Sequence, residues 1–283
     1  MKLASFTDQG ATRVAAVEED RVLPLDYPDM TSLIERFGEI GAKLKSAVPL
    51  PLGQIHLTAP IPSPRRNIIC VGKNYRDHAR EFSQSGFEAG AIAGREIDQF
   101  PAVFTKLPTS VTGPGATVSL HSHVTSSVDY EAELAIVIGK AGRDIPRQNA
   151  FDYIFGYTII NDVTARDRQK NHKQWFLGKT LDGFCPMGPW ITTADEVDAE
   201  NLDIRCWVNG DLRQSANTRD LIFDIPTLVS TISAGTTLLP GDIIATGTPA
   251  GVGIGFDPPK FLLSGDTVSV SITGLGELSN VFR

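Results

Sequence analysis

The sequence predicts a β-rich α+β protein. Short apolar runs of strand length recur along most of the chain, turn signals punctuate them, and no regular strand–helix alternation supports a doubly wound sheet. The expected strands are 67–71, 102–106, 130–138, 155–161, 204–208, 243–246, 267–272 and 277–282. Asn209-Gly210, Pro240-Gly241-Asp242 and Ser264-Gly265-Asp266 supply breaks between them.

Taken in order, residues 1–62 read as a small N-terminal α+β domain and 63–283 as a larger second one. Runs 13–17 and 21–25 have strand character. A helix follows, with capping-box spacing at Ser32 and Glu35 and one apolar face of Leu33, Ile34, Phe37, Ile40 and Leu44. Alternating prolines in Val48-Pro49-Leu50-Pro51 and Ala59-Pro60-Ile61-Pro62-Ser63-Pro64 block ladder bonding and mark a linker or edge segment. A second helix runs from Pro226 in its first turn to Gly235 at its end. Segment 83–99, with Gly86, Gly90 and Gly94, reads equally as a mobile loop over a cleft or an ordinary surface insertion.

Composition narrows the function classes. With 283 residues, 41% hydrophobic and 21% charged, the chain is globular in type. A net charge of -7 argues against a general nucleic-acid binder. No apolar run approaches the roughly 18 residues of a membrane span, and the N-terminus shows no signal-peptide segment. Cys70, Cys185 and Cys206 are widely spaced and odd in number, as expected in a reducing compartment, and cytoplasm is the expected location. Cys185 reads as a packed small apolar group, since no base motif accompanies it.

The chemistry concentrates around Asp129-Tyr130-Glu131-Ala132-Glu133-Leu134. Strand side chains alternate, so Glu131 and Glu133 point the same way. They repel each other unless a cation sits between them or they lie in open water. A further acid, Asp162, ends the run 155–161. Carboxylates without a thiolate or imidazole beside them suit a hard dication, Mg²⁺ or Mn²⁺.

Four other groups accompany the acids. In Gly72-Lys73-Asn74-Tyr75-Arg76-Asp77-His78-Ala79-Arg80-Glu81, a helical turn puts His78 and Glu81 on one face, where Glu81 can orient the imidazole as a base for water. Such a pair is more often a plain surface ion pair. In Asp162-Val163-Thr164-Ala165-Arg166-Asp167-Arg168-Gln169, Arg166 can hold a substrate carboxylate bidentately and Gln169 can hydrogen-bond near the metal, although a polar helix start fits as well. Glycines and prolines around Gly178-Lys179 and Gly183 to Pro189 fix a loop that can hold Lys179 as a cation; a lone lysine is usually solvated. Thr246-Gly247-Thr248-Pro249-Ala250-Gly251-Val252-Gly253 offers backbone N–H groups and the Thr248 hydroxyl to an anion, without the spacing of a nucleotide loop. His121-Ser122-His123 reads as a polar turn before it reads as a ligand pair.

The order of these motifs resembles the fumarylacetoacetate hydrolase superfamily over about residues 64–283. The resemblance rests on Val71-Gly72-Lys73-Asn74-Tyr75 with His78 and Glu81, Phe104-Thr105-Lys106, Asp129 to Leu134, Asn161 to Asp167 with Gln169, Gly178-Lys179 with Asp182, and Thr246 to Gly253. It implies a mixed β-roll or distorted β-sandwich catalytic domain behind a small N-terminal domain, carried as a homodimer. It implies Mg²⁺ or Mn²⁺ on Glu131, Glu133 and Asp162, and water activation by His78 with Glu81. Lys179, Gln169 and Thr248 would contact substrate or a developing oxyanion; Arg166 and Tyr75 join the expected substrate-binding residues. The expected reaction is hydrolysis of a C–C bond in a 2,4-dioxo acid of the acylpyruvate type, releasing pyruvate. Decarboxylation of an oxaloacetate-type acid and isomerisation of a 2-hydroxy-dienoate pass through the same enolate. A metal-stabilised keto-acid binding protein is the non-enzymatic alternative.

Overall fold

The computed structural model describes residues 1–87 and 98–283. Two open sheets carry the molecule, and helices are short and few. The larger sheet runs in the order 50–51, 21–25, 11–18, 2–8, 185–193, 154–161, 132–138, 243–245, 68–72 and 102–106. Pairing is antiparallel along this path except between Ile243–Ala245 and Ile68–Gly72, which run parallel. The second sheet orders 211–217, 203–208, 267–272, 276–282 and 117–118. This is the β-rich, mixed-sheet architecture expected, with open sheets and no closed barrel.

Strand Ala132–Ile138 is buried on both faces, which explains its unbroken apolar run. Leu134, Ile136 and Ile138 face the core shared with the second sheet, through Ile204, Val270 and Leu278. Ala135 and Val137 face the other core, with Cys70, Met187 and Ile243. Glu133 belongs by parity to this second face. All three cysteines are buried and free. Burial pushes the Cys185 thiol up to about 12, as suits a packing residue.

At the boundary placed after residue 62, hydrogen bonding continues across the two segments. Strand Lys2–Asp8 pairs with Cys185–Thr193, and Leu3 and Val14 share a core with Ile68 and Ala135. The first helix starts differently from expectation. Asp29 is its N-cap and accepts the Ser32 N–H at 2.7 Å, so Ser32 lies inside Met30–Glu35 and caps nothing. Aspartate three residues before Ser32 satisfies an orphan donor of the first turn instead. The later helix is Ile225–Ser233, with Asp224 as cap and Pro226 in the first turn. Most of segment 83–99, namely 88–97, lies outside the described residues. Among the described residues no helix is long and apolar enough to cross a membrane.

A candidate metal centre and a buried histidine–glutamate pair

Antiparallel register brings the acids together. Ala132 pairs with Asn161 and Glu133 with Ile160, so the start of one strand lies beside the end of its neighbour. The Asp162 N–H donates to the Glu131 carbonyl at 2.8 Å, which locks the two strand ends. One oxygen each of Glu131, Glu133 and Asp162 then fall within 4.8 Å of one another, all on buried residues.

The other groups arrive from neighbouring strands at the same end. Cys70 pairs in parallel with Ala245, so both chains leave the sheet together. One continues as Gly247, whose N–H donates to Glu133 Oε2 at 2.9 Å. Its φ of 105° favours glycine, and a Cβ there would lie 2.7 Å from that of Asn74. The other enters helix Arg76–Gln84, which carries His78 and Glu81. His78 Nδ1 lies 3.0 Å from Glu81 Oε2, and Glu81 Oε1 accepts the Gly251 N–H at 3.0 Å. The pair is buried, His78 at 4% exposure, unlike the surface pair such spacing usually makes. His78, Glu131, Glu133, Arg166, Gln169, Lys179 and Thr248 line one narrow cleft with Lys73 and Trp175.

Fixed cations face most of the carboxylates. Lys179 Nζ lies 2.7 Å from both Glu131 Oε2 and Asp162 Oδ2. Lys106 Nζ lies 2.6 Å from Asp162 Oδ1, and Arg166 Nε 2.9 Å from Asp129 Oδ2. Burial opposes ionisation of Glu131, but Lys179 and Arg166 outweigh it and hold its carboxyl down at about 2. Glu133 is the exception. Among the described residues it makes no ion pair, and its polar contact is the Gly247 N–H. Burial, then the Asp162 and Glu131 carboxylates, push it well above the ordinary carboxylate range. An all-oxygen donor set with one uncompensated carboxylate fits a hard dication. Glu131, Glu133 and Asp162 are the residues that would hold it.

Some expected roles find a different geometry. Arg166 turns its fork inward: besides Asp129, Nη2 lies 2.7 Å from Glu131 Oε1 and Nη1 donates to Gln169 Oε1 at 3.2 Å. The guanidinium thus sits among buried carboxylates and still lines the cleft. The Thr248 hydroxyl donates to the Ala132 carbonyl at 3.0 Å and accepts from Gln214. Tyr75 is the extended N-cap residue of its helix and lines a separate depression with Arg76, Ser215 and Asp220, while Glu133 lies within electrostatic reach of its buried hydroxyl. His121 bonds the Asp182 carbonyl and takes no part in the acid cluster. Two residues carried no role in the sequence reading. Lys106 and Asp129 each sit in a quoted motif, and a lone charge ending an apolar strand was their only signal.

Residues 67–283 match the family model described as fumarylacetoacetate (FAA) hydrolase C-terminal. The chain belongs to the fumarylacetoacetate hydrolase family. This FAA hydrolase family member is 55% identical over 230 residues to oxaloacetate tautomerase YisK of Bacillus subtilis strain 168, covering 81% of this chain and 73% of that one. Its fold matches the fumarylacetoacetate hydrolase of psychrophilic Exiguobacterium antarcticum with a TM-score of 0.88 and 43% identity, covering 100% of this chain and 99% of that one. It also matches maleylpyruvate hydrolase from Sphingobium sp. SYK-6, solved with manganese(II) and pyruvate, with a TM-score of 0.79 and 36% identity, covering 100% and 98%.

Proposed function

We propose that the protein interconverts the keto and enol forms of a short 2-oxo acid of the oxaloacetate type. The observation that carries this reading is the buried His78–Glu81 pair, with Nδ1 held at 3.0 Å, in the same cleft as the acid cluster. Similarity to an oxaloacetate tautomerase at 55% identity supports the choice of reaction. Glu131, Glu133 and Asp162 would hold a dication, which would supply Lewis acidity to the reaction.

The chain's own residues do the rest. Glu81 accepts a hydrogen bond from Nδ1–H, which directs the lone pair of Nε2 into the cleft as the base. Nε2 takes a proton from the carbon beside the keto group. The C–H electron pair becomes the C=C bond, and the keto oxygen gains negative charge. Return of the proton to that oxygen gives the enol, and the reverse sequence gives the ketone. Such proton transfer contributes roughly 10²- to 10⁴-fold. The buried Lys179 ammonium supplies a preorganised positive charge where the enolate develops, worth about 3 kcal/mol for one fixed donor.

Hydrolysis of an acylpyruvate is the second reading. It uses the same base on water, and the 36% identical maleylpyruvate hydrolase favours it. Both are tested by supplying the enol of oxaloacetate and a panel of 2,4-dioxo acids with Mg²⁺ or Mn²⁺. Accelerated enol decay that stops with chelator and falls in His78→Ala is expected. Pyruvate release from the dioxo acids without faster enol decay would replace the first reading with the second. No effect on either leaves the binding-protein alternative.

A further inference from the structure

We propose that Asp129 and Tyr130 are positioning residues for the His78–Glu81 pair: they clamp the 251–254 loop, so that the Gly251 N–H holds Glu81 and, through it, the imidazole. The proposal rests on the reading of His78 as base given above. It divides Asp129-Tyr130-Glu131-Ala132-Glu133 into a first half that sets the base and a second half that would hold the metal.

The contacts form a continuous series. The Tyr130 hydroxyl donates to the Gly251 carbonyl at 2.9 Å, and the Gly251 N–H donates to Glu81 Oε1 at 3.0 Å. Glu81 Oε2 in turn lies 3.0 Å from His78 Nδ1. Further along the loop, Asp129 Oδ1 accepts the Gly253 N–H at 2.6 Å and Oδ2 the Ile254 N–H at 3.1 Å. Glycine permits this approach, since a Cβ on Gly253 would lie 2.7 Å from Asp129 Oδ1. Oδ1 also accepts the Tyr130 N–H at 2.9 Å, and Oδ2 accepts from Arg166 Nε at 2.9 Å. These four donors fill the lone pairs of one carboxylate, and none of its surface is exposed.

Packing alone does not supply the direction these bonds impose. Val252 and Ile254 share a small core with Phe82, on the helix that carries the pair, and this seats the loop. Apolar contact is non-directional. The Gly251 N–H, by contrast, must aim at one Glu81 oxygen within the narrow angles of a hydrogen bond. The clamp that aims it comes from outside that helix. Val128–Asp129 pairs with Thr164–Ala165, the short strand between Asp162 and Arg166. Arg166 then faces Asp129 through Nε and Glu131 through Nη2. One buried carboxylate thus joins the support of the base to an acid of the metal cluster.

The test starts from Tyr130→Phe, which removes one hydroxyl and keeps the buried ring. Turnover of enol oxaloacetate by the Mn²⁺-loaded full chain should fall roughly 2- to 10-fold, the loss of one hydrogen bond, in kcat rather than KM. Asp129→Asn should cost roughly 10- to 100-fold, because an amide cannot accept from all four donors. Both losses should vanish in a Glu81→Gln background, since residues that act through one partner are not additive. A second readout needs no activity. Long-range ¹H–¹⁵N spectra of the metal-free protein, labelled in histidine and held at a pH where the imidazole is neutral, should show the His78 proton on Nδ1. Both variants should show mixed tautomers, and His78→Gln assigns the signal. Losses that multiply with that of Glu81→Gln, or a wild-type tautomer in the variants, would overturn the proposal and leave Asp129 and Tyr130 as plain structural residues. Should Asp129→Asn not fold, Tyr130→Phe decides by the same measures. If wild type does not turn over the enol, the reading of His78 as base fails by itself, and the tautomer spectra still decide the clamp.

Discussion

Lys106 Nζ lies 2.6 Å from Asp162 Oδ1, and neither side chain is exposed to solvent. The same ammonium donates to the Val163 carbonyl at 2.9 Å. Lysine is almost never fully buried unless paired, so the pair holds both the strand end and the acid. Lys106→Met should therefore destabilise the fold by about 3–5 kcal/mol, the usual result of removing one partner of a buried pair. Urea unfolding with and without Mn²⁺ measures it, and a change below about 1 kcal/mol would remove Lys106 as the anchor of Asp162.

Gly255 offers a sharper test of the His78–Glu81 pair. A Cβ on Gly255 would lie 1.6 Å from Glu81 Oε1, the far end of a rotatable side chain. Gly255→Ala should swing the carboxylate away and spare the fold. Turnover should drop about 10- to 100-fold, typical for loss of a supporting hydrogen bond, while Mn²⁺ affinity holds. A parallel fall in melting temperature and metal affinity would point to general damage instead.

His78 itself separates chemistry from metal binding. His78→Gln should lower kcat by roughly 10²- to 10⁴-fold. Titration calorimetry with Mn²⁺ should give an affinity like that of wild type. Turnover at the wild-type rate would strip His78 of its role as base.

Glu133 makes metal binding depend on pH. Burial and then the Asp162 and Glu131 carboxylates raise its folded value well above the ordinary 4.5. For a raised carboxyl the sign is definite: it stabilises the metal-free fold below about 4.5, and that contribution is lost as pH rises through the folded value. A dication must expel the Glu133 proton, so its affinity should increase with pH across the same window. Calorimetry in buffers of different ionisation enthalpy should detect proton release on Mn²⁺ binding. Chelator should lower the melting temperature more at the upper end of this window than at the lower end. Buffer-independent heats would contradict this.

Much of the site is legible in the sequence because its signals are local. Strand alternation alone puts Glu131 and Glu133 on one side, and helical spacing alone puts His78 next to Glu81. Those pairs separate residues by two or three positions, where backbone geometry leaves little choice. The strand starting at Ala132 rather than Tyr130, and the helix cap at Asp29 rather than Ser32, are differences of a few residues at element ends.

Which charge meets which is not local. Arg166 and Lys179 both read as cations available to a ligand, yet one turns to Asp129 and the other joins Glu131 to Asp162. Lys106, some 56 residues before its partner, gave no hint of that pairing. Tyr75 shares a motif with His78 but faces another depression. The sequence by itself determined the donor chemistry and the two local pairs. The tertiary structure decided the shared focus of Glu131, Glu133 and Asp162, through the register that sets Ala132 against Asn161. It also decided the cation partners, because an ion pair depends on distance and burial in space, and neither can be read from spacing along the chain.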